Sequence, residues 1–390
     1  MALTITQVPA AVSLAQSPII FTVGETTPVY TSASFQYVGE LYYWQGNLNQ
    51  SSSVPDYTLL KFPNTSTVGI FDLNRIINST LTDLRIDNSS NVMYFAVDFY
   101  WQYASGSSFV TGSHLRTGTY RALDGYGIFP EPIGQRIYES TPFWPMMTDG
   151  PVTQSTLVTD IGTMGVFIGN AGTTIPDRFV YNSNLGFVVD LITENATTSS
   201  QTILNYPQGP ANAGFPYAAS LSSLEWYSLQ AYSGSSTPVG NSIRFEIDCP
   251  TKYPNQRIAF KNRYGQFDYI NMNEVSRQSF ETEKRTYQPQ LGTWEGSTLS
   301  YQSTDSSVLN YVSDSKQSLL LNTNWLTEDW NDILKQLLVS DEIYWVDTKY
   351  SVIRPVTIAT QNMTFKTGVV DKLIQYQFEF NFGQSYKLIL

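Results

Sequence analysis

Val92-Met93-Tyr94-Phe95-Ala96-Val97-Asp98-Phe99-Tyr100-Trp101 is the stretch on which the fold turns. Side chains along a strand point alternately to its two faces. Here both alternating sets are apolar or aromatic, so the run predicts a central strand covered on both sides. Similar runs precede it. Ser17-Pro18 introduces Ile19–Val23, and strands are expected again at Ser34–Trp44 and Tyr57–Phe62. Between them, Leu73, Ile76, Ile77 and Leu81 fall at helical spacing behind Asp72, a residue suited to capping. Downstream, Thr119–Gly127 reads as a last strand leaving through a Gly-rich turn. Pro130-Glu131-Pro132 then reads as a linker, which predicts an N-terminal β-sandwich-like domain over 1–130.

Residues 131–250 carry frequent turn signals, such as Thr148-Asp149-Gly150-Pro151 and Pro207-Gln208-Gly209-Pro210, between short apolar runs. That pattern predicts a middle β-rich domain. In Ser242–Cys249 the alternation is strict. Ile243, Phe245, Ile247 and Cys249 share one face, so Cys249 is expected as a buried structural thiol.

Residues 251–390 are expected to form a C-terminal β-rich domain with one packed amphipathic helix. Ile258-Ala259-Phe260 and Phe267–Met272 flank the turn Asn262-Arg263-Tyr264-Gly265, a hairpin. The clearest helix spans about 327–339. Thr327 is its expected N-cap, and Trp330, Ile333, Leu334, Leu337 and Leu338 form its apolar stripe. Strands are expected at Ile343–Val346, Pro355–Thr360, Met363–Lys366 and Leu373–Phe382, with one or two more in the polar stretch 295–318. The fold class is thus mainly β: several β-sandwich modules in series with a few short helices.

Composition narrows the function. One histidine (His114) and one cysteine (Cys249) stand among 26 tyrosines, 21 phenylalanines and 8 tryptophans. Most enzyme sites use groups that titrate near neutrality, soft metal ligands or Gly-rich phosphate cradles. The first two are nearly missing here and no phosphate-loop motif occurs, so no catalytic residue, cofactor-binding residue or metal ligand is assigned, and the chain is not expected to be an enzyme. His114 is expected as an exposed loop residue. Asp98, Asp124, Glu131, Glu225 and Glu246 are too many to single out a carboxylate pair for sugar hydrolysis. The net charge of 22 − 33 = −11 opposes nucleic-acid binding. The only basic cluster, Lys284–Arg285, follows two glutamates. No stretch approaches the roughly 18 apolar residues of a membrane helix, and with Glu25 as the first charged residue there is no basic start to suggest a secretory signal.

Low charge (14%) with many aromatic rings suits surfaces buried on assembly. Trp44, Trp101, Trp144 and Trp330 are the expected interface residues. Sugar stacking on the clusters around Tyr42–Trp44 and Phe99–Tyr103 is the alternative use of those rings.

Three segments carry a family resemblance: Ser17–Phe21 with Phe71–Ile77 and Tyr120–Tyr126; Arg257–Asp268; and Trp325–Ser340 with its trailing strands. The second resembles the Phe-x-Asn-Arg-x-Gly-x-x-Asp hairpin of virion proteins from tailed bacteriophages, particularly phages of Bacteroidetes-type hosts. In this chain the hairpin motif falls on Asn262, Arg263, Gly265 and Asp268. It ends in Gln266-Phe267-Asp268, where the commoner form has Gly-Trp/Tyr-Asp. The resemblance implies a structural component of the tail, baseplate or neck, made in the host cytoplasm and built into the virion. Its implied partners are copies of itself and other virion proteins, with a host-surface glycan as the partner in the adhesin alternative. Asn262 and Gly265 are expected to supply positive φ in the turn, and Arg263 to pair with Asp268 across it.

Overall fold

The expected central strand is β7 in a computed structural model that describes residues 3–25, 28–32, 34–45, 53–81, 92–127, 146–167, 177–191, 203–234, 237–249, 252–347, 352–368, 374–383 and 387–389. The chain divides into two units. One is Met1–Cys249 with Lys261–Asp268; the other is Pro250–Phe260 with Tyr269–Leu390.

The first unit begins with β1 (Leu3–Gln7), β2 (Val12–Leu14), β3 (Ile20–Glu25), β4 (Gln36–Gln45), β5 (Tyr57–Lys61) and β6 (Val68–Asp72). Then come helix α1 (Asn74–Thr80), β7 (Val92–Ser105), β8 (Ser108–Thr111), β9 (Leu115–Arg116) and β10 (Tyr120–Leu123). The Asp72 carboxylate accepts the Asn74 N–H at 3.2 Å at the start of α1. Strands β1-β3-β6 make one sheet; β2-β10-β7-β4-β5, with β8 and β9 also on β7, make a second. Phe21, Phe71 and Ile77 from one side meet Tyr37, Phe95, Phe99 and Trp101 from the other, a β-sandwich core.

The opposite face of the β4–β7 sheet is also covered, as the double apolar alternation requires. Continuing strands are β11 (Thr153–Thr156), β12 (Thr163–Phe167), β13 (Arg178–Ser183), β14 (Gly186–Leu191), β15 (Ile203–Pro207), β16 (Trp226–Ser233) and β17 (Thr237–Ile247). Sheet β11-β17-β16-β13-β14 packs on the β12-β15 pair through Tyr181, Tyr227, Phe245 and Val166. From the outer side of that pair, Phe167 and Ile203 join Tyr42, Trp44, Tyr94, Met147 and Tyr264 in a further apolar cluster. This cluster is why the segments expected as separate domains, 1–130 and 131–250, share one unit. The expected boundary near 130 lies outside the described residues.

The second unit holds β18 (Gln256–Lys261, up to Phe260), β19 (Phe267–Met272, from Tyr269), β20 (Arg277–Tyr287), β21 (Thr293–Glu295), β22 (Thr298–Ser300) and β23 (Leu309–Asn322). Helix α2 (Trp330–Val339), β24 (Ile343–Asp347), β25 (Val352–Ile358), β26 (Gln377–Phe382) and β27 (Lys387–Ile389) complete it. One sheet, β19-β18-β24-β25-β26-β23-β20, spans the unit. Ile333, Leu334 and Leu337 of α2 pack on Phe260, Phe378 and Phe380. The expected cap Thr327 lies before the helix, which starts three residues later; the Thr327 carbonyl accepts the Trp330 N–H at 3.2 Å. The strand expected at Met363–Lys366 is irregular chain, because the Lys366 N–H goes to the Tyr376 hydroxyl at 2.7 Å.

Candidate functional surfaces

The hairpin tip Lys261–Asp268 shows what its motif residues do. The Asn262 side chain folds over the turn. Its Oδ1 accepts the N–H groups of Tyr264 and Gln266, both at 3.0 Å, and its Nδ2 donates to the Met147 carbonyl and to Asp268 Oδ2. Gly265 has φ +75 and donates its N–H to the Asn262 carbonyl, the pattern of a hairpin loop closed by a glycine in the left-handed region. Asn262 does not share the positive φ expected of it: among the described non-glycine residues only Ser34 and Thr67 have one.

The expected Arg263–Asp268 pair does not form. Arg263 Nε instead lies 2.5 Å from Asp149 Oδ2, and Tyr264 donates its hydroxyl to Asp149 Oδ1 at 2.7 Å. Burial and the Asp149 charge push the Tyr264 hydroxyl pKa up. Asp268 is half-buried. Loss of water around it raises its carboxyl to about 7, against the hydrogen bonds from Thr148 and Asn262 that favour the charged form. Nearby, Lys261 Nζ pairs with Asp124 Oδ2 at 2.7 Å, both side chains below one-tenth exposed. These are buried contacts of a locked turn, not an open site.

The expected interface tryptophans divide differently. Trp44 is 8% and Trp101 4% exposed. Trp44 stacks on Tyr94 inside one cluster, and Trp101 Nε1 donates to Glu25 Oε2 at 2.9 Å inside another. Both lie under the layers that cover the two faces of the β4–β7 sheet. Trp330 is half-buried on the core of the second unit, and Trp144 lies outside the described residues. Cys249, expected in the core, is exposed; β17 ends at Ile247, so the alternation stops before it.

The exposed rings lie elsewhere. Strands β20 and β23 pair from Arg277–Leu320 to Tyr287–Leu309. Neighbouring β26 pairs β23 only over Ser318–Asn322, and β27 only over Val312–Asp314. From Phe280 to Tyr287 the ribbon therefore extends as an arm about 24 Å long at 3.4 Å per residue, and β21–β22 form a small hairpin beyond it. Every residue of β20 is exposed. Phe280 (59%), Trp294 (59%) and Tyr301 (68%) are prominent, with Tyr287 and Tyr311 edge to face at 6.1 Å. The sequence expectation of one or two strands over 295–318 covers part of β23 but neither β20 nor the arm, since their polar residues carry no burial pattern.

A polar cluster lies on the face of the first unit's central sheet that also carries Tyr42 and Tyr94. Glu40 and Asp98 are directly opposed on β4 and β7. His114, exposed as expected, stacks over Tyr100 at 4.3 Å, and its Nδ1 lies 3.0 Å from Asp98 Oδ2. Tyr42 and Tyr100 each donate a hydroxyl to Glu40 at 3.2 Å. Burial and the Glu40 charge raise both tyrosine pKa values. The other carboxylates weighed in the sequence go separate ways. Asp124 is tied to Lys261, Glu246 lies 3.3 Å from Arg244 on the surface, the Glu225 backbone is held by Asn184, and Glu131 is outside the described residues. Among the described residues no helix is long and apolar enough to cross a membrane.

No family model matches the chain, and no curated protein does. Among solved structures it is similar to alpha-2-macroglobulin of E. coli in its native conformation, at 11% identity and a TM-score of 0.20, over 82% of this chain and 21% of that one. The chain thus spans about a fifth of the length of that protein.

Proposed function

We propose that the chain is a non-enzymatic structural component of a tailed-phage virion, in the tail, baseplate or neck. In this reading it works through subunit–subunit interfaces with copies of itself and with other virion proteins. The observation that carries the proposal is the β20–β23 arm. A two-stranded ribbon is marginally stable in water; this one is flanked by β27 only over Val312–Asp314, and it and the small hairpin beyond it display Phe280, Tyr287, Trp294, Tyr301 and Tyr311 to solvent. Laid against a neighbouring subunit, those rings would bury apolar area and the ribbon would gain a second surface. The resemblance of Arg257–Asp268 to phage virion hairpins supports the same assignment. The interface is placed on the arm rather than on Trp44 and Trp101.

Gold-conjugated antibody against the chain, applied to purified phage particles, tests the proposal. Label at a fixed position between head and tail tip is expected. Particles that carry none, together with turnover of a polysaccharide by the purified chain, would refute it.

A further inference from the structure

We propose that Glu40, Asp98 and His114 form a binding site for a divalent first-row transition ion of the Zn²⁺ class. One ligand atom from each of the three lies within 4.8 Å of the others. Around a single ion at about 2.2 Å, two ligand atoms stand no more than roughly 4.4 Å apart, so the set needs to tighten by a few tenths of an ångström. His114 and Glu40 are the residues that can do this: the imidazole is on an exposed loop and the Glu40 side chain is only half-buried.

Three further observations point to a cation. Glu40 and Asp98 are like charges directly across a strand pair, an arrangement that is unfavourable without compensation. Among the described residues no Lys or Arg forms an ion pair with either. Arg116, opposite Asp98 on β9, has its guanidinium over the Tyr42 ring at 4.3 Å. Finally, Asp98 Oδ1 is buried and accepts no hydrogen bond from any described residue, which leaves an oxygen lone pair unsatisfied beside the imidazole.

The donor set selects the ion. One imidazole nitrogen with two carboxylates suits zinc and its neighbours, whereas Ca²⁺ and Mg²⁺ prefer all-oxygen shells. Tyr100 supports the imidazole by stacking, and the Tyr42 and Tyr100 hydroxyls orient Glu40, as outer partners of a metal ligand do. Three protein ligands leave a coordination position for water or for a group on a neighbouring molecule.

The experiment is calorimetric titration of the chelator-stripped full chain with ZnCl₂, alongside H114A, E40Q and a parallel MgCl₂ titration. Each thermal midpoint is recorded without metal to show that the variants remain folded. The expected result is one Zn²⁺ per chain, with an affinity at least roughly ten-fold weaker in H114A and in E40Q and little response to Mg²⁺. No saturable Zn²⁺ binding, or Zn²⁺ binding that both folded variants retain unchanged, would overturn the site. Neither outcome depends on the chain being a virion component.

Discussion

Asp268 stands 3.0 Å from the side-chain amide of Asn262, within the hairpin tip that groups with the first unit. Its carboxyl is raised to about 7 chiefly by loss of water around it, against about 3.9 for an unfolded aspartate. The folded chain therefore keeps this proton where the unfolded chain has released it. The contribution to stability is full below about pH 4, falls as pH rises through 4 to 7, and is flat above. D268N holds a neutral side chain at every pH. Chemical denaturation of both proteins from pH 4 to 8 checks this: wild type should lose roughly 4 kcal/mol relative to D268N across that range, and parallel curves would contradict it.

Gly265→Ala should destabilise the first unit by at least about 2 kcal/mol. The residue has φ +75, and a Cβ there would overlap the Asp124 carbonyl oxygen. Gly125→Ala should behave alike without a positive φ, because its Cβ would meet the Arg263 carbonyl oxygen. Urea midpoints of the two variants measure both effects.

Lys261→Met should cost about 3–5 kcal/mol, since it strands the Asp124 carboxylate in the interior. Asp124→Asn in the same background should recover part of that loss in a double-mutant cycle.

Trp101→Ala should cost about 3–5 kcal/mol through a core cavity and a lost bond to Glu25. Cys249, by contrast, should react with a maleimide in the native protein about as fast as after unfolding, because it is exposed. A thiol protected in native buffer would restore the buried reading.

The physical signals that were readable in the sequence were periodic and local. The double apolar alternation of Val92–Trp101 marked a strand buried on both faces, and the stripe Ile333, Leu334, Leu337 marked a helix packed on a sheet. What escaped depends on partners distant in sequence. Arg263 finds Asp149 because the hairpin tip groups with the first unit, and no spacing near Asp268 signals that. Glu40, Asp98 and His114 meet only once the register of β4 on β7 is set and the loop before β9 returns beside Tyr100. Trp44 and Trp101 were expected at an interface from the low charge and the surplus of rings, and composition does not say which rings the layers on either side of the β4–β7 sheet enclose. The arm is a ribbon without a core, so its exposed rings left no pattern to follow.

The arm is where the assembly reading stands or falls. Replacing residues 286–311 by Asn-Gly joins Arg285 to Val312, which are already paired, through a favoured two-residue turn and keeps the β27 pairing. Sedimentation velocity of the full chain and of this variant, with unfolding midpoints matched, is the decisive measurement. The prediction is a defined oligomer for the full chain and a monomer for the variant. The same oligomer in both, or a monomer in both, would contradict it.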